Sequence, residues 1–177
     1  MIKYTYAFSH IIFNQKLPSI YSDFNPTTLE HVFPKSYIVD NKNKGDMHNL
    51  FKCNKYINNM RSNYKFVDEN DYNLLNEKWI KLDNNNYVNT KNKLFIPNSN
   101  YKGLISRAIM YMSYSYNLDY NNIIDYDNLI LWCSKNPPCK KEEYHNYVVS
   151  LSQKKKNLFI SSFNDTKYLQ FIKYAFK

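Results

Sequence analysis

Leu29-Glu30-His31-Val32-Phe33-Pro34-Lys35-Ser36 is the stretch that decides the fold, together with Asp46-Met47-His48-Asn49-Leu50 and Ile57-Asn58-Asn59-Met60-Arg61-Ser62-Asn63 after it. Leu29 to Phe33 alternates apolar and polar side chains, the period of a short strand, and Pro34 ends it. Tyr37-Ile38-Val39 extends a hairpin arm, and Asp40-Asn41-Lys42-Asn43-Lys44-Gly45-Asp46 is turn chemistry. Met47 to Phe51 reads as the returning strand. Cys53, Ile57 and Met60 then fall on one face of a helix over 52–60. Residues 29–61 are therefore expected to form strand, loop, strand and helix.

These residues bring chemistry with them. Glu30 and His31 set a carboxylate beside an imidazole. Neighbours on a strand face opposite sides, so the two serve one site only where the strand is short, bent or edged by the helix. Phosphodiester hydrolysis needs an activated water, a cation against the transition-state charge, and help for the leaving oxygen. A neutral imidazole, with its ordinary pKa near ~6.5, is a suitable base at pH 7. Mg²⁺ takes oxygen ligands and keeps several waters, and a Glu carboxylate with an Asn amide oxygen is such a sparse set. Glu30, His31 and Asn58 are thus sufficient for a one-metal nuclease. A zinc site from His31, His48 and Cys53 is the rival, and it lacks a fourth ligand at a sensible spacing.

Outward from this core the signals are coarser. Segment 68–100 is Asn-rich and low in pattern, with Tyr87-Val88 and Lys93-Leu94-Phe95-Ile96 as a candidate hairpin. Ile105, Ala108, Ile109, Met112 and Tyr116 keep helical spacing. Asp127 to Cys133 reads as a helix capped by Asp127 or Asn128, and Pro137-Pro138 stops it. Tyr144, Tyr147, Val148 and Leu151 mark another helix ending near Gln153. Lys154-Lys155-Lys156 follows, as a solvated terminus or a nucleic-acid contact. Residues 161–177 hold Tyr168, Leu169, Phe171, Ile172, Ala175 and Phe176 among lysines, a docking helix or a membrane-surface segment. The whole is an α+β fold: a strand-loop-strand-helix core packed with additional helices. It reads as one domain over 1–177, with its core at 29–66, helical support at 101–160 and a basic extension at 161–177.

The chain has 177 residues and a formal charge of +9. That length buries a core without disulfides or metals, and the charge suggests a polyanionic partner. The 22 lysines, 27 asparagines and 18 tyrosines also look like AT-rich coding, which dilutes the inference from charge. Only Arg61 and Arg107 are arginines, and Arg offers phosphate or carboxylate a planar fork that Lys does not. Some tyrosines are candidates to stack on bases. Cys53, Cys133 and Cys139 are an odd set that suits a reducing compartment. No apolar run approaches a membrane span. The start has no charged region followed by a long apolar one, so the expectation is no signal peptide and an intracellular place, viral or host-cell cytoplasm included.

The three core motifs resemble the endonuclease I family of non-specific nucleases, which have the ββα-metal (His-Me finger) core. The match runs through Glu30-His31-Val32-Phe33-Pro34, Asp46-Met47-His48-Asn49-Leu50 and Ile57-Asn58-Asn59-Met60-Arg61-Ser62-Asn63. Lys102-Gly103 with Arg107-Ala108-Ile109-Met110-Tyr111-Met112 is similar to the family's downstream helix. Leu131-Trp132, Pro137-Pro138, Glu143, Asn146, Gln153 and Asn157 to Ile160 follow in the family's order. The likeness covers roughly 29–160. The family has a long β-rich segment before its first motif; here His10 and Leu17 to Tyr21 look like remnants of it. Leu104 stands where the family has an acidic residue, and His145 where it has Arg.

The resemblance implies a metal-dependent endonuclease acting on DNA, RNA being left open, with little sequence specificity. It implies His31 as the general base and Arg61 beside it as a catalytic candidate. Glu30 and Asn58 would hold Mg²⁺, with Mn²⁺ or Ca²⁺ as substitutes, and the products would be 5′-phosphate and 3′-hydroxyl ends. Arg61 and Arg107 are candidates for phosphate contact or for orienting the metal carboxylate; Arg107 has Glu143 as an alternative partner. Lys35, His48, Arg107, Lys154, Lys155 and Lys156 are the candidate nucleic-acid contacts. Two alternatives remain: a nucleic-acid-binding protein of this fold without turnover, and a nuclease selective for junctions or flaps.

Overall fold

The computed structural model describes residues 10–13, 17–75 and 78–176. Two small sheets and a set of helices make the fold α+β. The first sheet has β1 (Ser19–Ile20), β2 (Pro26–His31) and β3 (Leu50–Asn54) in the order β1-β3-β2. β1 runs parallel to β3 and β2 antiparallel, pairing Glu30 with Phe51 and His31 with Leu50. β3 runs directly into helix α1 (Lys55–Arg61). Asn54 sets that junction, its side chain accepting from the Tyr56 and Ile57 amides. An Asn at this position satisfies donors the helix itself cannot.

Strand, loop, strand and helix occur in the expected order, with shifted edges. β2 stops at His31, because Phe33 is taken out of the ladder. Its N–H donates to Asn49 Oδ1 at 2.6 Å, and its carbonyl accepts from Asn49 Nδ2 at 2.9 Å. Tyr37 to Val39 do not continue a hairpin arm: Lys35–Tyr37 is a 3-10 turn, Ile38 enters the core and Val39 is exposed. Met47–Asn49 is also a 3-10 turn, capped by the Asp46 side chain, so the returning strand begins only at Leu50. The helix starts at Lys55 because Lys52 to Asn54 are still paired in β3.

Lys65–Phe66 and the Asn-rich segment form a second sheet, of which the sequence pattern shows only the central hairpin. β4 (Lys65–Phe66), β5 (Ile80–Lys81), β6 (Tyr87–Asn89) and β7 (Leu94–Ile96) order as β4-β7-β6-β5. The expected hairpin is β6 paired with β7. Against the sheets lies α2 (Lys102–Tyr116), buried at every position from Lys102 to Met112. A helix buried on all sides is a central one. Gly103 permits it, since a Cβ there would meet the Asn136 carbonyl oxygen at 2.4 Å. Helices α3 (Tyr126–Lys135), α4 (Lys140–Gln153), α5 (Leu158–Ser161) and α6 (Tyr168–Ala175) complete the helical side. The N-cap of α3 is Asp125; Asp127 and Asn128 lie inside the helix. α6 docks, with Tyr168, Ile172 and Phe176 in the main core. Among the described residues no helix is long and apolar enough to cross a membrane.

Candidate active site

β2 and α1 meet over an open cleft of about 370 Å³, lined by Leu29, Glu30, His31, Pro34, Lys35, Ser36, Asn58, Arg61, Ser62 and Asn63. Glu30 and His31 both reach it although they are strand neighbours. His31 is the last strand residue, and the chain turns away behind it.

His31 is held in one tautomer. Its Nε2 lies 2.9 Å from the Lys44 carbonyl oxygen. A carbonyl only accepts, so Nε2 carries the proton and Nδ1 keeps its lone pair. Burial lowers the His31 pKa, and the Lys35, Arg61 and Lys44 charges lower it further, against the opposing effect of the Lys44 hydrogen bond. The ring is thus a neutral base at pH 7.

Glu30 is buried and ringed by partners. Tyr21 donates its hydroxyl to Oε1 at 2.9 Å, and Arg61 Nε stands 3.3 Å from the same oxygen. Burial raises the Glu30 pKa; Arg61, Tyr21 and the His31 backbone pull it back. Asn58 is oriented by the same logic as His31. Its Nδ2 donates to the Leu29 carbonyl and to Thr28 Oγ1, each at 3.1 Å. The nitrogen is thereby committed, and Oδ1 is the atom left over.

Arg61 is placed differently from its expected catalytic role. It is fully buried, donates to the Ser62 and Val32 carbonyls, and lies over the Phe66 ring at 4.4 Å. Its fork is spent on the protein, and it meets the cleft's polar groups at the Glu30 carboxylate, which suits the expected alternative of orienting that carboxylate better than contact with phosphate. The Nε contact is an ion pair without hydrogen-bond geometry. Arg107 lies outside the cleft. It makes a buried two-pronged pair with Glu142, not Glu143, at 2.7 Å for each prong. Burial opposes its charge, but the Glu142 hydrogen bonds and charge prevail and raise its pKa. His48 is likewise enclosed, donating to the Lys155 carbonyl at 3.0 Å. Neither is free to meet a phosphate. Lys35 is exposed on the cleft rim. Lys154, Lys155 and Lys156 are exposed just beyond α4, with the Lys155 ammonium 5.1 Å from the Tyr116 ring centroid. The zinc alternative has no footing, since no cluster of three His, Cys, Asp or Glu side chains among the described residues suits a metal.

Some contributors were hidden from the sequence reading. The Lys44 carbonyl that orients His31 is backbone and leaves no residue signature. Tyr21 sits nine positions before Glu30 in a stretch without periodicity. Asp46 and Asn49 lie inside the second motif, and nothing in their identity alone assigns them a task.

The cleft thus sets one oriented imidazole beside a buried carboxylate and an amide oxygen, with Lys35 at its rim. The family model for Endonuclease I matches residues 6–163, and the protein belongs to that family. The match starts well before the motifs, so it takes in β1 and Tyr21 as well as the core. No curated protein matches the chain.

Proposed function

We propose that the protein is a divalent-cation-dependent endonuclease that hydrolyses DNA with little sequence preference, leaving 5′-phosphate and 3′-hydroxyl ends. The observation that carries this is the His31 tautomer, fixed by the Lys44 carbonyl, in the same cleft as Glu30 and Asn58. Nδ1 of His31 takes a proton from water as the water oxygen bonds to phosphorus. The bond from phosphorus to the 3′ oxygen breaks, and that oxygen leaves with a proton from solvent.

The Glu30 carboxylate and Asn58 Oδ1 fit a hard cation. Both offer oxygen donors in one cleft, with Tyr21 bound to one carboxylate oxygen and the Asn58 amide nitrogen already committed. Such a cation, when bound, supplies positive charge against the phosphorane and its leaving oxygen. Lys35 adds a phosphate contact at the rim, and backbone contacts of this kind carry no sequence information.

The test is nicking of supercoiled plasmid with Mg²⁺, with EDTA, and by His31→Ala. Nicking is expected with Mg²⁺ alone and is expected to fall about 10²–10⁴-fold in the variant, the usual loss for a general base. Salt-sensitive binding without nicking would replace the enzyme with a binding protein of the same fold.

A further inference from the structure

A second hollow opens beside the catalytic cleft. It encloses about 430 Å³ between Asn25, Thr27, Asn54, Lys55, Tyr56 and Asn59. The two hollows flank one seam, where β2 meets α1. Thr28 and Asn58 close that seam with a hydrogen bond, and their chain neighbours Thr27 and Asn59 line the second hollow.

Two aromatic side chains stand in water at this place. Tyr56 is 59% exposed and Phe24 is 71% exposed. Neither ring meets another ring or a cation among the described residues, yet their backbones are tied together. Asn54 accepts from the Tyr56 amide at 2.9 Å and donates to the Phe24 carbonyl at 3.3 Å. The Phe24 amide is held in turn by Ser22 Oγ at 3.1 Å. The Asn25 and Asn59 amides and the Lys55 ammonium have no hydrogen-bond partner among the described residues. An amide presents donors and an acceptor together, so it meets the edge of any base. A lysine meets the phosphate beside it.

We propose that this hollow is a nucleobase subsite: it takes one unstacked base of the substrate strand on Tyr56, next to the cleft in which the bond is cut. The proposal rests on the nuclease reading and narrows its substrate. A base inside a duplex has both faces covered by its neighbours, and unstacking it costs free energy that a single strand has already spent. The enzyme therefore cuts single-stranded or locally opened nucleic acid in preference to a closed duplex. The aromatic contact is indifferent to base identity, because every base has a π-face.

Binding of a single-stranded oligonucleotide carrying 2-aminopurine, measured in EDTA so that no cleavage intervenes, reads the subsite apart from turnover. Wild type and Tyr56→Phe are expected to bind it with quenched fluorescence. Tyr56→Ala is expected to bind about tenfold more weakly and without quenching, the size of effect of one lost base–aromatic stack. The ratio of single-strand to duplex cleavage is expected to fall about tenfold in Tyr56→Ala and to survive in Tyr56→Phe. Unchanged affinity and quenching in Tyr56→Ala, or equal losses in both variants, overturns the subsite even where plasmid nicking is robust. Wild-type quenching that Tyr56→Ala abolishes, in a protein that does not nick, supports the subsite and overturns the nuclease reading alone.

Discussion

Glu30 is a buried carboxylate, and a buried charge is tolerable only with a partner. Arg61 is that partner, and it is itself buried among carbonyls and the Phe66 ring. Removing one member of such a pair strands the other. Arg61→Met is therefore expected to destabilise the fold by about 3–5 kcal/mol at neutral pH. Glu30→Gln in the same chain should return part of that, because the stranded charge disappears. Urea denaturation of the two single variants and the double variant measures the coupling. Additive losses would mean that the 3.3 Å contact is incidental. Lysine does not substitute well either, since it lacks the fork that meets the Ser62 and Val32 carbonyls together.

At the scale of elements, the connection between β2 and β3 orients His31. Lys44 lies in it, and two residues later Asp46 fastens it to α2. One Asp46 oxygen accepts from the His48 amide; the other accepts from the Tyr111 hydroxyl at 2.9 Å and the Tyr116 hydroxyl at 2.5 Å. Burial raises the pKa of both tyrosines, and the charge of Asp46 raises them further, so they remain donors. Replacing Tyr111 and Tyr116 together by Phe leaves Asp46 buried with two of these three donors gone. The Lys44 carbonyl then loses its anchor, and His31 its orientation. The expected outcome is a fall of about tenfold or more in kcat with KM little changed, since misplacing a catalytic group by an ångström costs on that order. Lys35→Ala, which removes a rim charge, should instead act on KM. A kcat restored to the wild-type value once the folded fraction is allowed for would show that the clasp serves only stability. The same connection marks where the sequence was legible and where it was not. Glu30, His31 and Asn58 line one cleft, and they could be singled out because side-chain identity and order are visible in a sequence. The carbonyl that orients His31 has no identity to read. The strand edges moved because Asn49 captured both backbone groups of Phe33, a tertiary contact that no period of two encodes. β5 escaped notice for a simpler reason: two exposed residues are too few to show a period. Arg107 misled because a fork that suits phosphate suits Glu142 equally well.

At the scale of the whole molecule, two imidazoles join the motif layer to the helical layer. His145 of α4 donates to the Met47 carbonyl at 2.9 Å and stacks on Phe51 at 4.6 Å. His48 reaches the other way, to the Lys155 carbonyl, and its ring lies 6.4 Å from that of His145. In both rings Nδ1 is buried without a partner, so neither has a place for a second proton. Burial lowers the His145 pKa to about 4, with the charge of His48 adding to it, and burial lowers that of His48 too. An unfolded histidine takes its proton near ~6.5. Between these values the unfolded chain binds more protons than the folded one, so stability falls as pH falls. For His145 the loss is absent above pH ~6.5 and amounts to about 3 kcal/mol by pH ~4, from 2.5 pH units at ~1.36 kcal/mol each. The raised pKa of Glu30 acts in the opposite sense, but it is common to wild type and variant and cancels in their difference. His145→Gln keeps an amide donor for Met47 and removes the titration. Its thermal midpoint should therefore fall less than that of wild type between pH 7 and pH 4, by roughly 6–12 °C for a chain of this size. Parallel curves would show that His145 accepts its second proton without opening the contact between the two layers.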